Sequence, residues 1–299
     1  MIAIPSMIPS VRQSQDLHER NQAGTIRFCK AHGIGNDFVL LDRRAGQVLP
    51  TPTQVQRMAD RHRGIGFDQL LTIEPGGADS DFGYAILNAD GSVAGQCGNG
   101  VRCVAAWLVR EGAGHIGQPL RLRGPAGVSI ATVDRAGWVR VEMGVPEFEP
   151  ARIPFDAPSA AASYALDVDG RKLEIGAVSM GNPHAVLEVD DVARAEVVRF
   201  GPKIERHPRF ADRCNVGFVE VVERDYLRLR VFERGVGETL ACGSGACAAV
   251  AVLRRREQVD TRVTVELPGG SLVLEWAGPG SIMTMSGPAA ITFEGSWHE

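Results

Sequence analysis

Two of the six cysteines stand in nearly the same setting. Cys97-Gly98-Asn99-Gly100 and Cys242-Gly243-Ser244-Gly245 each place a thiol just before a glycine-rich helix start. The first-turn amides of a helix are unpaired donors, and the helix dipole favours negative charge there. This setting is expected to lower the pKa of the thiol. The glycines also let a ligand carboxylate approach the bare amides. Two such thiols on opposite faces of one sp3 carbon can invert it. One, as thiolate, removes the α-proton, and the other, as thiol, returns a proton from the opposite face. Placed acid and base groups contribute about 10²–10⁴-fold. The remainder must come from donors on the carboxylate and from exclusion of water.

The other cysteines, Cys29, Cys103, Cys214 and Cys247, read as inert side chains, the second and fourth of them as small core residues inside helices. No Cys-x-x-Cys pair exists to anchor zinc, so no metal site is expected. A disulfide framework does not suit a chain of this size without an export signal. Only Lys30, Lys172 and Lys203 are available for Schiff-base chemistry. No cofactor is expected.

Polar residues that can hold an amino acid are Asn36, Gln69, Asn88, Asn182 and Asn215, beside glycines or at strand ends. Glu233 can bind an ammonium, and Arg234 can clamp a carboxylate. Taken singly, each reads more readily as a turn residue or a surface ion pair. What separates them is recurrence. Gly35-Asn36 returns as Gly181-Asn182, an offset of 182 − 36 = 146, and Gln69 returns as Asn215 at the same offset. Asn88 is matched by Glu233, and Cys97-Gly98-x-Gly100 by Cys242-Gly243-x-Gly245, both 145 residues further on. Four landmarks in register imply two homologous halves, residues 25–145 and 146–299, related by a pseudo-two-fold axis. A shared site then falls in the cleft between them. Residues 1–24 read as a poorly ordered N-terminal extension.

The elements that must position these residues are mostly short strands. Val139, Val141 and Met143 alternate with Arg140 and Glu142, and Leu227, Leu229 and Val231 with Arg228 and Arg230. Val263, Val265 and Leu267 run into Pro268-Gly269-Gly270, after which Leu272, Val273 and Leu274 resume. Such patterns predict antiparallel meanders rather than a parallel dinucleotide-binding sheet. Helices are expected over 53–62, 99–111 and 244–256. The last is apolar nearly all round, which suits a helix enclosed by sheet, and Arg254, Arg255 and Arg256 complement its dipole. The fold class is therefore α+β, with two similar β-rich halves.

The chain has 299 residues, 44% hydrophobic and 23% charged, enough to bury a core without staples. A net charge of −4 gives no reason to expect nucleic acid or an anionic membrane as partner. No apolar run approaches the roughly 20 residues of a membrane helix. The start of the chain, broken by Pro5 and Pro9, does not read as a signal peptide, and a cytoplasmic location is the default.

Several motifs together resemble diaminopimelate epimerases. They are His32-Gly33-Ile34-Gly35-Asn36-Asp37-Phe38, Gly64-Ile65-Gly66-Phe67-Asp68-Gln69, Asn88-Ala89-Asp90-Gly91-Ser92 and Cys97-Gly98-Asn99-Gly100-Val101-Arg102-Cys103. Gly181-Asn182-Pro183-His184, Glu233-Arg234-Gly235-Val236-Gly237-Glu238-Thr239 and Ala241-Cys242-Gly243-Ser244-Gly245-Ala246-Cys247 follow in the family's order. The Cys242 block is highly specific, whereas Asn-Pro-His alone is weak. The resemblance implies two barrel-like domains, each around a central helix, and a homodimer. It implies interconversion of LL- and meso-diaminopimelate in lysine and peptidoglycan synthesis, without pyridoxal phosphate or metal. By position, Cys97 and Cys242 match the acid/base thiols. Asn36, Gln69, Asn88, Asn182, Asn215, Glu233 and Arg234 match substrate contacts, and Gly98, Asn99, Gly243 and Ser244 match the carboxylate-binding helix starts. Departures are Val93-Ala94-Gly95 in place of a more acidic stretch, Gly124 where a threonine is common, and Ser244 for the commoner threonine.

Other readings remain at this stage. A proline or hydroxyproline racemase shares the paired-cysteine logic but needs less polar equipment. A phenazine-synthesis-type isomerase lacks the cysteine pair. Gly243-Ser244-Gly245-Ala246-Cys247-Ala248 satisfies a dinucleotide fingerprint on paper, but a Gly-Val-Gly-Glu-Thr loop precedes it where a strand is required. A non-catalytic binding protein would be favoured by loss of either thiol, and both are present.

Overall fold

The alternating strands and four helices fold as a mixed, mainly antiparallel architecture, seen in a computed structural model that describes residues 25–95, 97–134 and 137–299. The N-terminal extension, 1–24, lies outside the described residues. The first half runs β1 (Thr25–Gly33), β2 (Asn36–Asp42), α1 (Pro52–Ala59), β3 (Gln69–Gly77), β4 (Ser80–Asn88), α2 (Gly98–Arg110), β5 (Pro119–Gly124), β6 (Gly127–Val133) and β7 (Trp138–Gly144). The second runs β8 (Tyr164–Val168), β9 (Arg171–Ser179), β10 (Pro183–Glu188), α3 (Val197–Glu205), β11 (Asn215–Glu223), β12 (Tyr226–Glu233), β13 (Gly237–Thr239) and α4 (Gly243–Arg255). It continues with β14 (Arg262–Leu267), β15 (Gly270–Glu275), β16 (Met283–Pro288) and β17 (Ala290–His298).

The repeat seen in the sequence is a repeat of strand register. β2 pairs parallel with β3 through Phe38 opposite Gln69, and β10 pairs parallel with β11 through His184 opposite Asn215. Adding 146 to the first pair gives the second. Parallel pairs also join β4 to β5 and β12 to β14. The meander expected from alternation is thus interrupted four times, each time where a helix intervenes between the strands. Parallel neighbours need a crossover connection, and α1, α2, α3 and α4 supply them.

α2 and α4 are the enclosed helices. Val101, Cys103, Val104, Ala105 and Leu108 of α2 share one continuous core with the run Ala246 to Leu253 of α4. The abundance of alanine in α4 follows from close quarters. A Cβ at Gly176 on β9 would lie 2.2 Å from Cγ1 of Val252. α1 and α3 lie in smaller outer cores, with Val55 and Met58 in one and Val197, Phe200 and Ile204 in the other. The sequence reading did not anticipate α3, because Gly201-Pro202 sits inside it. Gly201 is needed there: a Cβ would meet the Phe232 ring at 2.6 Å.

The halves meet through β7 and β16, which pair antiparallel with Arg140 opposite Ser286 and Val141 opposite Met285. Since 285 − 145 = 140 and 286 − 145 = 141, the repeat exchanges these two pairs, and the pseudo-two-fold axis passes between them. The chain end then returns. β17 pairs with β1 from Thr25 opposite His298 to His32 opposite Ala290, the place in the first half that β8 fills beside β9 in the second.

Candidate active site

Strand direction brings the polar residues to one end of each half. Asn36 and Gln69 begin the parallel strands β2 and β3, and Asn88 ends the antiparallel β4. Asn182 precedes β10, Asn215 begins β11 and Glu233 ends β12. Each central helix starts at that same end. Cys97 is the N-cap of α2 and Cys242 the N-cap of α4.

The two helix starts touch. Asn99 Nδ2 donates to the carbonyl of Ala241, at 3.2 Å, and to Asn36 Oδ1, at 3.2 Å. Cys97 Sγ also donates to Asn36 Oδ1, at 3.6 Å, and accepts from the amide of Gly100 at 3.4 Å. In the second half, Cys242 Sγ lies 3.6 Å from Ser244 Oγ and hydrogen-bonds to the Glu233 carboxylate. Gly98 and Gly243 lie close under the ends of two methionines. A Cβ on Gly98 would meet Met143 Cε at 2.9 Å and Met285 Cε at 3.0 Å, and one on Gly243 would meet Met285 Sδ at 3.0 Å. β7 and β16 thereby seat both helix starts.

The expected lowering of the thiol pKa is not found. Burial pushes Cys97 up to about 11, and the Glu233 carboxylate adds to the rise, against opposing contributions from the Gly100 and Asn99 amides and from Arg102. Cys242, which is 4% exposed, is likewise pushed well above its ordinary value by burial and by Glu233 beside it. Desolvation of a thiolate thus outweighs the helix N-terminus, so both thiols rest protonated near neutral pH. Burial also raises Glu233, partly offset by hydrogen bonds from Thr239 and Cys242. The field of this one carboxylate reaches both cysteines.

The remaining residues are held by their own halves. Gln69 Nε2 donates to Asn88 Oδ1 at 3.0 Å. Asn215 Oδ1 accepts from the amide of Arg234 at 2.9 Å, and the Arg234 guanidinium reaches the carbonyl of Asp212 at 2.8 Å. Two further residues of the site, Asp68 and His184, have no role assigned by the sequence patterns alone. Asp68 accepts from Asn36 Nδ2 at 2.8 Å, and His184 Nε2 lies 3.1 Å from Asn182 Oδ1. Burial and the charge of Arg234 push His184 down to about 3, so it is neutral at physiological pH. Their motifs, Gly-x-Gly-x-Asp-Gln and Asn-Pro-His, were the available signal. Cys29, Cys103, Cys214 and Cys247 are buried and free. Among the described residues no cluster of His, Cys, Asp and Glu has the geometry to hold a metal ion. An open surface concavity lined by Phe82, His115, Ile116 and Leu120 lies at the opposite end of α2 from Cys97 and holds neither thiol. No described helix is long and apolar enough to cross a membrane.

The family model for diaminopimelate epimerase matches residues 28–149 and 176–292. The diaminopimelate epimerase of Stutzerimonas stutzeri is 50% identical over 90% of this chain and 98% of its own length. That of Halorhodospira halophila is 53% identical over 90% of this chain and 94% of its own. Among solved structures, a hydroxyproline epimerase from Agrobacterium vitis with bound trans-4-hydroxy-L-proline superposes with a TM-score of 0.69 at 15% identity, covering 92% of this chain and 93% of that one. A phenazine biosynthesis protein of the PhzF family from Bacillus anthracis gives 0.66 at 15% identity, covering 91% and 99%. These two likenesses are of fold.

Proposed function

The chain belongs to the diaminopimelate epimerase family, and from that premise we propose that it interconverts LL- and meso-diaminopimelate by inverting one α-carbon between Cys97 and Cys242. The observation that carries the reading is the meeting of the two helix starts, through Asn99 Nδ2 and the carbonyl of Ala241, with a cysteine at the N-cap position of each.

The α-carboxylate binds to the bare first-turn amides around Gly98, Asn99, Gly243 and Ser244, where helix dipoles favour an anion. Glu233 takes the α-ammonium, while Asn36, Gln69, Asn88, Asn182, Asn215 and Arg234 hold the distal amino-acid head. One cysteine, having released its S–H proton to solvent as the substrate binds, removes the α-hydrogen as a proton. The electron pair left on carbon is stabilised through the carboxylate by the amide donors. The opposite cysteine gives its S–H proton to the other face. After turnover the thiol and the thiolate have exchanged places, so the enzyme is poised for the reverse reaction. Neither pyridoxal phosphate nor a metal has a part in this scheme. The raised pKa values favour the neutral thiol in the empty site, and the ammonium beside Glu233 supplies the compensating positive charge when substrate is bound.

The proposal places the reaction in lysine and peptidoglycan synthesis, in the cytoplasm, and the protein as a homodimer, which light scattering after gel filtration would check. The direct test is incubation of reduced protein with LL-diaminopimelate in D2O, without added cofactor. Uptake of deuterium at the α-carbon together with meso product is expected. Absence of both would remove diaminopimelate as substrate.

A further inference from the structure

We propose that Asp68 is a positioning residue that locks the Asn36 amide with its oxygen toward Cys97, and so holds this thiol as a hydrogen-bond donor in the ligand-free site. This rests on the reading of Cys97 as one of the two reacting thiols.

An amide side chain has an acceptor end and a donor end, and which end faces a neighbour is settled by whatever grips the other. For Asn36 the grip is a carboxylate. Asp68 Oδ2 accepts from Asn36 Nδ2 at 2.8 Å and from the backbone amide of Asp37 at 3.1 Å. A carboxylate only accepts, so Asn36 presents its NH2 to Asp68 and its oxygen to the α2 start. That oxygen receives both Cys97 Sγ and Asn99 Nδ2. Asn99 in turn is fixed by the Ala241 carbonyl. A polarity chain thus runs from Asp68 through Asn36 and Asn99 into the second half of the molecule, with one allowed sense throughout.

Asp68 is itself held from behind. Arg61 Nη2 donates to Asp68 Oδ1 at 2.8 Å and to Asp37 Oδ1 at 2.8 Å, and Lys30 Nζ donates to Asp37 Oδ2 at 2.6 Å. Lys30 also reaches the carbonyl of Gly66. Four alternating charges therefore brace the β2 and β3 starts, and Asp68 is the member that touches Asn36. In the second half, Asn182 has its oxygen beside His184 Nε2, so its NH2 group is the end turned away from that partner. The repeat matches Asn36 to Asn182, yet a carboxylate grips the NH2 end of the first and an imidazole nitrogen lies at the oxygen of the second. These two partners add to the chemical asymmetry that Glu233, matched by Asn88 in the first half, already gives the site.

The test separates orientation from charge. Alkylation of Cys97 by iodoacetamide is followed as a function of pH by peptide mass spectrometry in wild-type protein, Asp68→Ala and Asp68→Asn, with Cys242 as the internal reference. Both variants remove the same charge, but only Asp68→Asn retains an oxygen that can accept from Asn36. In Asp68→Ala the freed amide can turn its NH2 to the sulfur and favour thiolate. Cys97 should then react about tenfold faster at pH 8, the equivalent of one pKa unit. Asp68→Asn should stay within about twofold of wild type, since the orientation and hence the pKa are kept. Asp68→Ser, which keeps an acceptor for the Asp37 amide but does not reach Asn36, should behave as Asp68→Ala and serves if that variant does not fold. Turnover should fall in Asp68→Ala and recover in Asp68→Asn. Equal acceleration in Asp68→Ala and Asp68→Asn, or none in Asp68→Ala and Asp68→Ser, overturns the proposal. Turnover by Cys97→Ala would instead overturn the two-thiol reading, and the alkylation profiles are measured independently of it.

Discussion

At the scale of single residues the site is governed by desolvation. A buried thiol loses more from leaving water as an anion than a few helix amides return. Free enzyme should therefore be alkylated slowly at pH 7, with the rate at Cys97 rising toward its raised value of about 11. A plateau reached below pH 8 would contradict this assignment of charge. Glu233 gives an outcome of opposite signs in two assays. Its charge raises both thiols, so Glu233→Gln should speed alkylation of Cys242 at pH 8. The same change should depress turnover, since the partner proposed for the substrate ammonium is lost. Replacing either cysteine by alanine should lower epimerisation by about 10²-fold or more, the usual contribution of a placed acid or base.

At the scale of elements, glycines decide how closely a strand and a helix approach. Gly176 lets β9 lie against Val252 of α4, and a methyl group there meets a branched side chain that cannot swing away. Gly176→Ala should cost about 1–3 kcal/mol, as overpacking does, read from chemical denaturation. Gly95→Ala, where an added Cβ meets nothing within 4 Å, is the control and should be neutral. Gly98 and Gly243 differ in kind, because their neighbours are the flexible ends of Met143 and Met285. Alanine at either should disturb carboxylate binding more than stability.

For the molecule as a whole, two features set stability. β17 completes the first half from the far end of the chain, covering β1 from residue 25 to 32. Truncation after Ala289 should remove cooperative unfolding in calorimetry, and a sharp transition near the wild-type Tm would show that the strand is dispensable. The second feature is the number of buried thiols. Burial raises Cys29, Cys103 and Cys247 to about 12 and Cys97 to about 11, from 9.0. In the unfolded chain these groups ionise near 9 while the folded protein still holds them neutral. Below pH 9 they cost nothing; as pH rises through 9 toward 11–12 the unfolded state gains and stability falls. Tm should therefore drop steeply between pH 9 and 11, with little change between 7 and 8.

The sequence by itself determined the two thiols, their helix-start setting and the internal repeat, because each is a local pattern: a cysteine before Gly-x-Gly, an amide beside a glycine, an apolar helix of fixed length. It also determined the enclosure of α4, which has no polar face to show to water. Only the tertiary structure decided the rest. The parallel pairings, the return of β17 to β1 and the hidden α3 depend on contacts far apart in the chain, such as Gly201 under Phe232. The thiol pKa values were misjudged from sequence because a helix N-terminus is local, whereas burial and the approach of Glu233 are set by packing across elements. The sense of Asn36 was illegible for the same reason. An asparagine carries both ends, and only the carboxylate of Asp68, delivered by the parallel pairing of β2 and β3, chooses between them.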